Sequence, residues 1–258
     1  MRAILKPRNL WKRYFGTPDR RRKAWHRHLE ALAGDHKLHV YKSHIAWMLP
    51  GAFQAATDRW GVTPGIPIDR CFTLFSAAET LRHEGIKGDS IECGVRYGRG
   101  SHFILSGFAE PSRPHHLVDS FAGLSTPQPV DQVRQTGLAN DWRAGDLAVT
   151  RAEVEHLLAG FGNCVYHPGW IPDSLAELTD TRFALAHIDV DLYEPTLASF
   201  RFLYDRMTPG GMMICDDYGL VSCPGARRAI DDFFADKPEK PLFLPTGQSL
   251  VIKFGASA

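Results

Sequence analysis

The chain lacks most of the signals that place a protein quickly. Its five cysteines (Cys71, Cys93, Cys164, Cys215 and Cys223) are scattered over 258 residues, with no C-x-x-C pair. That argues against a thiolate zinc site, and the odd count suits a reducing compartment better than a disulfide framework. No apolar run reaches the roughly 18 residues that a membrane span needs. The first residues have no apolar signal-peptide core. Charge of one sign is missing too. The net charge is +1, so no nucleic acid and no strongly acidic partner is expected. There is no internal repeat, no low-complexity tract and no G-x-G-x-x-G, the spacing that cradles a pyrophosphate in dinucleotide folds. What is left is 44% hydrophobic and 23% charged, an ordinary globular composition. The length allows one large α/β domain or two small ones. The expectation is a soluble, cytoplasmic protein.

Residues 1–65 read as a basic, partly helical N-terminal extension. "KRYFGTPDRRRKAWHRH" packs seven Lys and Arg into seventeen residues. A solvated face packing on a partner or the core explains that run better than a nucleic-acid or membrane role. A homodimer through this segment is a conjecture. From residue 66 to 258 the pattern is regular. "RCFTLFSAAETLRHEG" has helical spacing and a stop at Gly85. "DSIECG", "HHLVDSF", "NCVYHPG", "FALAHIDV" and "MMICDDY" are strands. "GSHFILSGFA" is helical. "TRAEVEHLLAGF" opens on a capping box, Thr150 with Glu153. "EPTLASFRFLYDRMTPGG" reads as a helix closed by Pro209-Gly210-Gly211. "PGARRAIDDFFAD" starts with proline at a helix N-terminus. Residues 122–148 form a long polar loop with one helical turn. "PLFLPTGQSLVIKF" is two short strands around Gly247. Strand–helix alternation of this kind predicts a doubly wound, mostly parallel sheet with a C-terminal antiparallel hairpin.

In such sheets ligands bind outside the carboxyl ends of the strands. Four strand ends are polar. "IECGVRYGRGS" places Glu92 before Gly94, Gly98 and Gly100, whose flexibility allows a cofactor close to the backbone. Asp119 ends the next strand, where an acid either turns the chain or accepts hydrogen bonds from ribose hydroxyls. "HIDVD" and "CDDYG" then supply Asp189, Asp191, Asp216 and Asp217. Asp189 and Asp191, at i and i+2, face the same way on extended backbone. Two such carboxylates about 4 Å apart repel by roughly 4 kcal/mol at an effective dielectric of 20. Proton sharing relieves this, and so does a hard cation such as Mg²⁺. His187 reads as a buried strand residue. His115 and His116 read as structural or exposed.

Taken in order, "IECGVRYGRGS", "VDSFAGL", "GWIPDSL", "HIDVDLYEPT", "GGMMICDDYG" and "PGARRAIDDF" resemble the macrocin-type O-methyltransferases over roughly residues 70–254. The resemblance implies a Rossmann-like class I methyltransferase fold. It implies an enzyme that moves a methyl group from S-adenosylmethionine to a hydroxyl of a sugar, glycan or natural product, with Mg²⁺ as second cofactor. Carried onto this chain, it implies that Glu92, Gly94, Tyr97, Gly98 and Ser101 hold the methionine part of the cofactor. Asp119 takes the ribose, Ser120 and Phe121 lie by the adenosine, and Trp170 of "GWIPDSL" shapes the same site. Asp189, Asp216 and Asp217 ligate the metal, and Asp191 is the base. The glycine turn departs from the family's shorter, more glycine-dense run by carrying Arg96, Tyr97 and Arg99. Ala122 stands where an acid is frequent.

The chemistry agrees. Methyl transfer from a sulfonium is an in-line displacement that needs positioning, a hydroxyl made nucleophilic by a metal and a carboxylate to take its proton. A D-x-D motif also fits a metal-dependent nucleotide-sugar glycosyltransferase. A nicotinamide dehydrogenase is disfavoured by the glycine spacing. A non-catalytic S-adenosylmethionine-binding protein is the third alternative, disfavoured by four intact aspartates.

Overall fold

The structure, a computed structural model, describes residues 49–132 and 142–255, together with residues 15, 17, 21, 24 and 47. The basic run at 12–28 therefore lies almost wholly outside the described residues, as does part of the 122–148 loop. The chain divides into two compact units, Met1–Ala55 and Ala56–Ala258. The second carries the sheet.

Helix α1 (Ala52–Trp60) leads to α2 (Ile68–His83), then β1 (Asp89–Cys93), α3 (Arg99–Phe108), β2 (His115–Asp119), α4 (Arg151–Leu157) and β3 (Cys164–Pro168). The second half runs β4 (Phe183–Ile188), α5 (Tyr193–Leu203), β5 (Met207–Cys215), α6 (Pro224–Phe233), β6 (Leu242–Phe243) and β7 (Ser249–Ile252). Seven strands form one sheet in the order β3-β2-β1-β4-β5-β7-β6. The first five are parallel, and β7 runs antiparallel to β5 and β6. The chain builds outward from β1 to β3, then returns to lay β4 on the other side of β1. That reversal opens a crevice at the carboxyl ends of β1 and β4.

Every residue of β4 is buried, because helices cover both faces. Ile91, Ala186, Ile188 and Met213 pack under Phe200 and Leu203 on one side. On the other, Leu185 and Ile214 meet Leu74, Leu81 and Ile104. The capping box of α4 forms as expected, with Thr150 accepting from Glu153 N. The turn Pro129–Asp131 is the helical turn of the polar loop.

Two expectations need correction. Pro209-Gly210-Gly211 does not close the helix. Helix α5 ends at Leu203, a 3₁₀ turn covers Tyr204–Arg206, and the tripeptide lies inside β5. There β5 slips against β4 between the pairs Phe183–Met207 and Leu185–Met212. Gly210 takes φ +83 in the bulge, and its amide donates to Lys253 O at 2.7 Å. Partners across the sheet thus satisfy a segment that local rules assign to a turn. Secondly, Asp191 is not on extended backbone. Strand β4 stops at Ile188 and Asp191 sits at φ +59, so Asp189 and Asp191 diverge.

Candidate active site at the strand ends

The turn from β1 into α3 is held from two sides. Glu92, buried at the end of β1, accepts through Oε2 from the backbone amide of Ser101 at 2.8 Å and from the Ser101 hydroxyl. Asp119, at the end of β2, accepts through Oδ2 from the amides of Val95 at 2.6 Å and Arg96 at 3.1 Å, and through Oδ1 from Phe121 N at 2.7 Å. The glycines serve protein packing more directly than ligand access. A Cβ on Gly94 would lie 1.9 Å from the Asp189 carbonyl oxygen, and one on Gly100 would lie 1.9 Å from Glu92 Oε1.

A cleft of about 290 Å³ opens over these turns. Of the residues expected to hold a cofactor, Glu92, Gly94, Tyr97, Asp119, Ser120 and Trp170 line it. Gly98, Ser101 and Phe121 are not on its wall. Gly98 caps α3 against Leu158, Ser101 stands behind Glu92, and Phe121 packs on the cluster around Leu117. The amide of Gly169 donates to Asp119 O at 2.9 Å, which seats the Gly169-Trp170 turn beside the β2 end.

All four aspartates reach the same cleft. Carboxylate oxygens of Asp189, Asp216 and Asp217 lie within 4.8 Å of one another. Asp191 joins Asp217 and Cys223 in a second group of the same size. Its amide donates to Asp217 Oδ2 at 2.9 Å, and Cys223 Sγ donates to its Oδ1 at 3.4 Å. Burial and the charges of Asp216 and Asp217 push the Asp189 carboxyl well above its usual range. Burial, then Asp191 and Asp216, do the same to Asp217. Burial would raise Asp216 as well, but His187 and Arg70 outweigh it and hold that carboxyl low. An all-oxygen donor set with this excess of negative charge suits a hard divalent ion.

Residues 64–242 match the family model of the macrocin O-methyltransferases, TylF. The chain belongs to that family. A tetracenomycin-C-type relative, 8-demethyl-8-(2,3-dimethoxy-alpha-L-rhamnosyl)-tetracenomycin-C 4'-O-methyltransferase of Streptomyces olivaceus, is 30% identical over 175 residues, covering 65% of this chain and 66% of that protein. Mycinamicin III 3''-O-methyltransferase of Micromonospora griseorubida is 28% identical over 179 residues, 65% of this chain and 68% of that one. The match thus spans about two thirds of each relative. Among solved structures, the O-methyltransferase NovP superposes with a TM-score of 0.61 at 26% identity, covering 73% of this chain and 81% of that chain. The macrocin O-methyltransferases draw their methyl group from S-adenosylmethionine, and the fold here is the class I methyltransferase fold. Family membership decides against the glycosyltransferase and dehydrogenase readings.

Within this macrocin-type frame, several residues escaped the sequence reading. Arg70, on α2, pairs with Asp216 Oδ2 and donates through Nε to Thr246 O at 3.1 Å. Its signal was present: it is a cation on the buried stripe formed with Leu74, Ala77, Ala78 and Leu81. Gln248 donates to Asp216 Oδ1 at 2.8 Å, and nothing local marks it. His187 is fully buried, with Nδ1 2.8 Å from Glu92 Oε1 and Nε2 3.6 Å from Asp216 Oδ1. The second distance is too long for a hydrogen bond, so charge attraction acts there. His115 and His116 are both buried, which removes the exposed alternative. His115 bridges Ser90 Oγ at 2.8 Å and Ser101 Oγ at 2.7 Å. A polar chain therefore crosses the sheet interior from Ser90 through His115, Ser101, Glu92 and His187 to Asp216 and Arg70.

Proposed function

We propose that the protein is a divalent-metal-dependent O-methyltransferase acting on a hydroxyl of a sugar-bearing natural product or glycan. The carrying observation is the convergence of Asp189, Asp216 and Asp217 within 4.8 Å, beside the turn that Glu92 and Asp119 hold. The relatives that methylate sugar positions, by their names, support the acceptor class. Bound S-adenosylmethionine supplies the methyl group on a sulfonium. Asp189, Asp216 and Asp217 would hold a divalent ion, which would supply Lewis acidity toward the acceptor hydroxyl.

The chain's own residues do the rest. Glu92 accepts from the methionine ammonium and Asp119 from the ribose hydroxyls, each with lone pairs left after its protein contacts. Asp191 takes the acceptor's proton. Burial raises its carboxyl to about 6, a useful value for a base that must be ionised yet basic near neutral pH. Trp142 and Trp170 stand on the cleft wall, with Trp142 Nε1 donating to Ser222 O at 2.8 Å. Their faces suit the apolar side of a sugar or an aglycone.

A thermal-shift titration tests the reading. S-adenosylmethionine should raise the melting temperature, Mg²⁺ should raise it further, and EDTA should remove the second increment. Asp189→Ala should lose the metal increment and keep the cofactor's. No stabilisation by S-adenosylmethionine would sink the proposal.

A further inference from the structure

The departure in the glycine turn leaves one cation to account for. Three arginines stand on the cleft wall: Arg70, Arg96 and Arg99. Arg70 is taken by Asp216. Arg99 has its Nε sealed from solvent, and so from a ligand in the cleft as well. Arg96 is exposed. Among the described residues no carboxylate stands within ion-pairing distance of it, whereas Arg113, Arg151, Arg227 and Arg228 each have one. Its guanidinium carbon instead lies 5.5 Å from the centre of the Tyr97 ring, on the same wall. The backbone beneath is held against its preference. Arg96 sits at φ +49, a left-handed conformation that side chains disfavour. Asp119 Oδ2 fixes it there by accepting from the Arg96 amide at 3.1 Å. Strain of this kind persists where the surroundings over-determine it, and ligand clamps are such places.

The acids of the cleft leave Arg96 unclaimed because they are engaged elsewhere. Glu92 accepts from Ser101 and faces His187. Asp119 accepts from three amides. Asp216 holds Arg70 and Gln248, and Asp191 accepts from Cys223. The charge of Arg96 nevertheless acts on Asp191, the base proposed for the acceptor hydroxyl. The uncommitted cation therefore belongs to the acceptor side. An anionic molecule entering a wall of carboxylates is repelled unless a fixed cation meets it. A neutral acceptor needs no such cation, and an always-charged guanidinium held in place for it would have no task.

We propose that Arg96 is a specificity residue that binds an anionic group, a phosphate or a carboxylate, on the sugar whose hydroxyl is methylated. This deepens the methyl-transfer reading above and rests on it. The planar guanidinium fork takes either anion through two N–H donors. A neutral sugar of the same shape is then the poorer acceptor.

Ligand-detected NMR on the full chain, with S-adenosylhomocysteine and Mg²⁺ present, tests this with three probes: glucose 1-phosphate, glucuronic acid and glucose. At least one anionic sugar should bind the wild-type protein about tenfold more tightly than glucose, the scale of one charge-assisted contact. Which of the two does so separates a phosphate from a carboxylate. Arg96→Gln should cut that margin to less than about threefold while leaving the affinity for S-adenosylhomocysteine unchanged, which also reports a folded variant. Arg96→Gly reads the same margin if Arg96→Gln fails to fold, because glycine accepts the left-handed backbone without strain. Three results overturn the proposal. One is a wild-type protein that holds neither anion better than glucose. Another is a margin that survives in the variants, which would assign the anion to the metal. The last is a variant whose affinity for S-adenosylhomocysteine falls as far as that for the anion, which would assign Arg96 to the methyl donor. A wild-type protein that binds no S-adenosylhomocysteine instead removes the methyl-transfer reading itself.

Discussion

Gly94 and Asp189 show how single atoms set the site. At φ +82 Gly94 tucks under the Asp189 carbonyl, so the turn after β1 and the turn after β4 touch. A side chain there meets both left-handed strain and a backbone clash. Gly94→Ala should therefore cost roughly 2–4 kcal/mol, read as a lower urea midpoint at unchanged slope. His115 carries a second residue-scale prediction. Burial, with the charges of His116 and His187, lowers its pKa to about 3, against about 6.5 in an unfolded chain. The unfolded state takes up the proton first. The stabilising contribution is thus complete above about pH 6.5 and is lost as pH falls toward 3, by up to about 1.4 kcal/mol per pH unit. His115→Asn should flatten the stability profile across that window in denaturation series at stepped pH. An unchanged slope would mean that other groups carry it. At this scale the sequence was legible where the side chain itself is the signal, as with Asp189 or Glu92. It was silent on Gln248, whose part depends on which strand folds beside it.

Helices α5 and α6 depend on a cluster of rings. Phe200 of α5 meets Phe234, just beyond α6, edge-on at 5.4 Å, and Phe233 at 5.8 Å. Phe200 is fully buried. Phe200→Ala should cost about 3–5 kcal/mol and loosen α6 against α5, seen as faster amide exchange in both. Asp131 ties the polar loop to the same region: its Oδ1 accepts from Tyr193 N at 2.8 Å, at the start of α5. Nothing in "PQPVDQ" points to that bond, because its partner is 62 residues away. Elements with internal signals were readable from the sequence. The capping box fixed the start of α4, and Gly85 the end of α2. The Pro209-Gly210-Gly211 segment was misread because Gly210 and Gly211 pair with Lys253, just past the end of β7, and a turn signature carries no information about strands that add later.

For the whole molecule the strand order matters most, since the reversal between β1 and β4 gathers residues 92 to 217 into one cleft. A metal on three aspartates from two strand ends would brace that gathering. Removing it with a chelator should lower the melting temperature at saturating S-adenosylmethionine, and Mg²⁺ at about 100 times its dissociation constant should restore roughly 2.7 kcal/mol. Asp217→Asn should respond much less to both treatments, and an equal response would place the ion elsewhere. Among the described residues no helix is long and apolar enough to cross a membrane. The sequence by itself determined the alternation of strands and helices, the acids at the strand ends and the likeness to the macrocin family, because periodicity and motif order are local properties of the chain. Only the tertiary structure decided that Asp189 keeps company with Asp216 and Asp217 while Asp191 turns to Cys223. It likewise decided that Arg70 neutralises Asp216. Those facts are distances between residues far apart in the chain, and they exist only once β4 lies between β1 and β5.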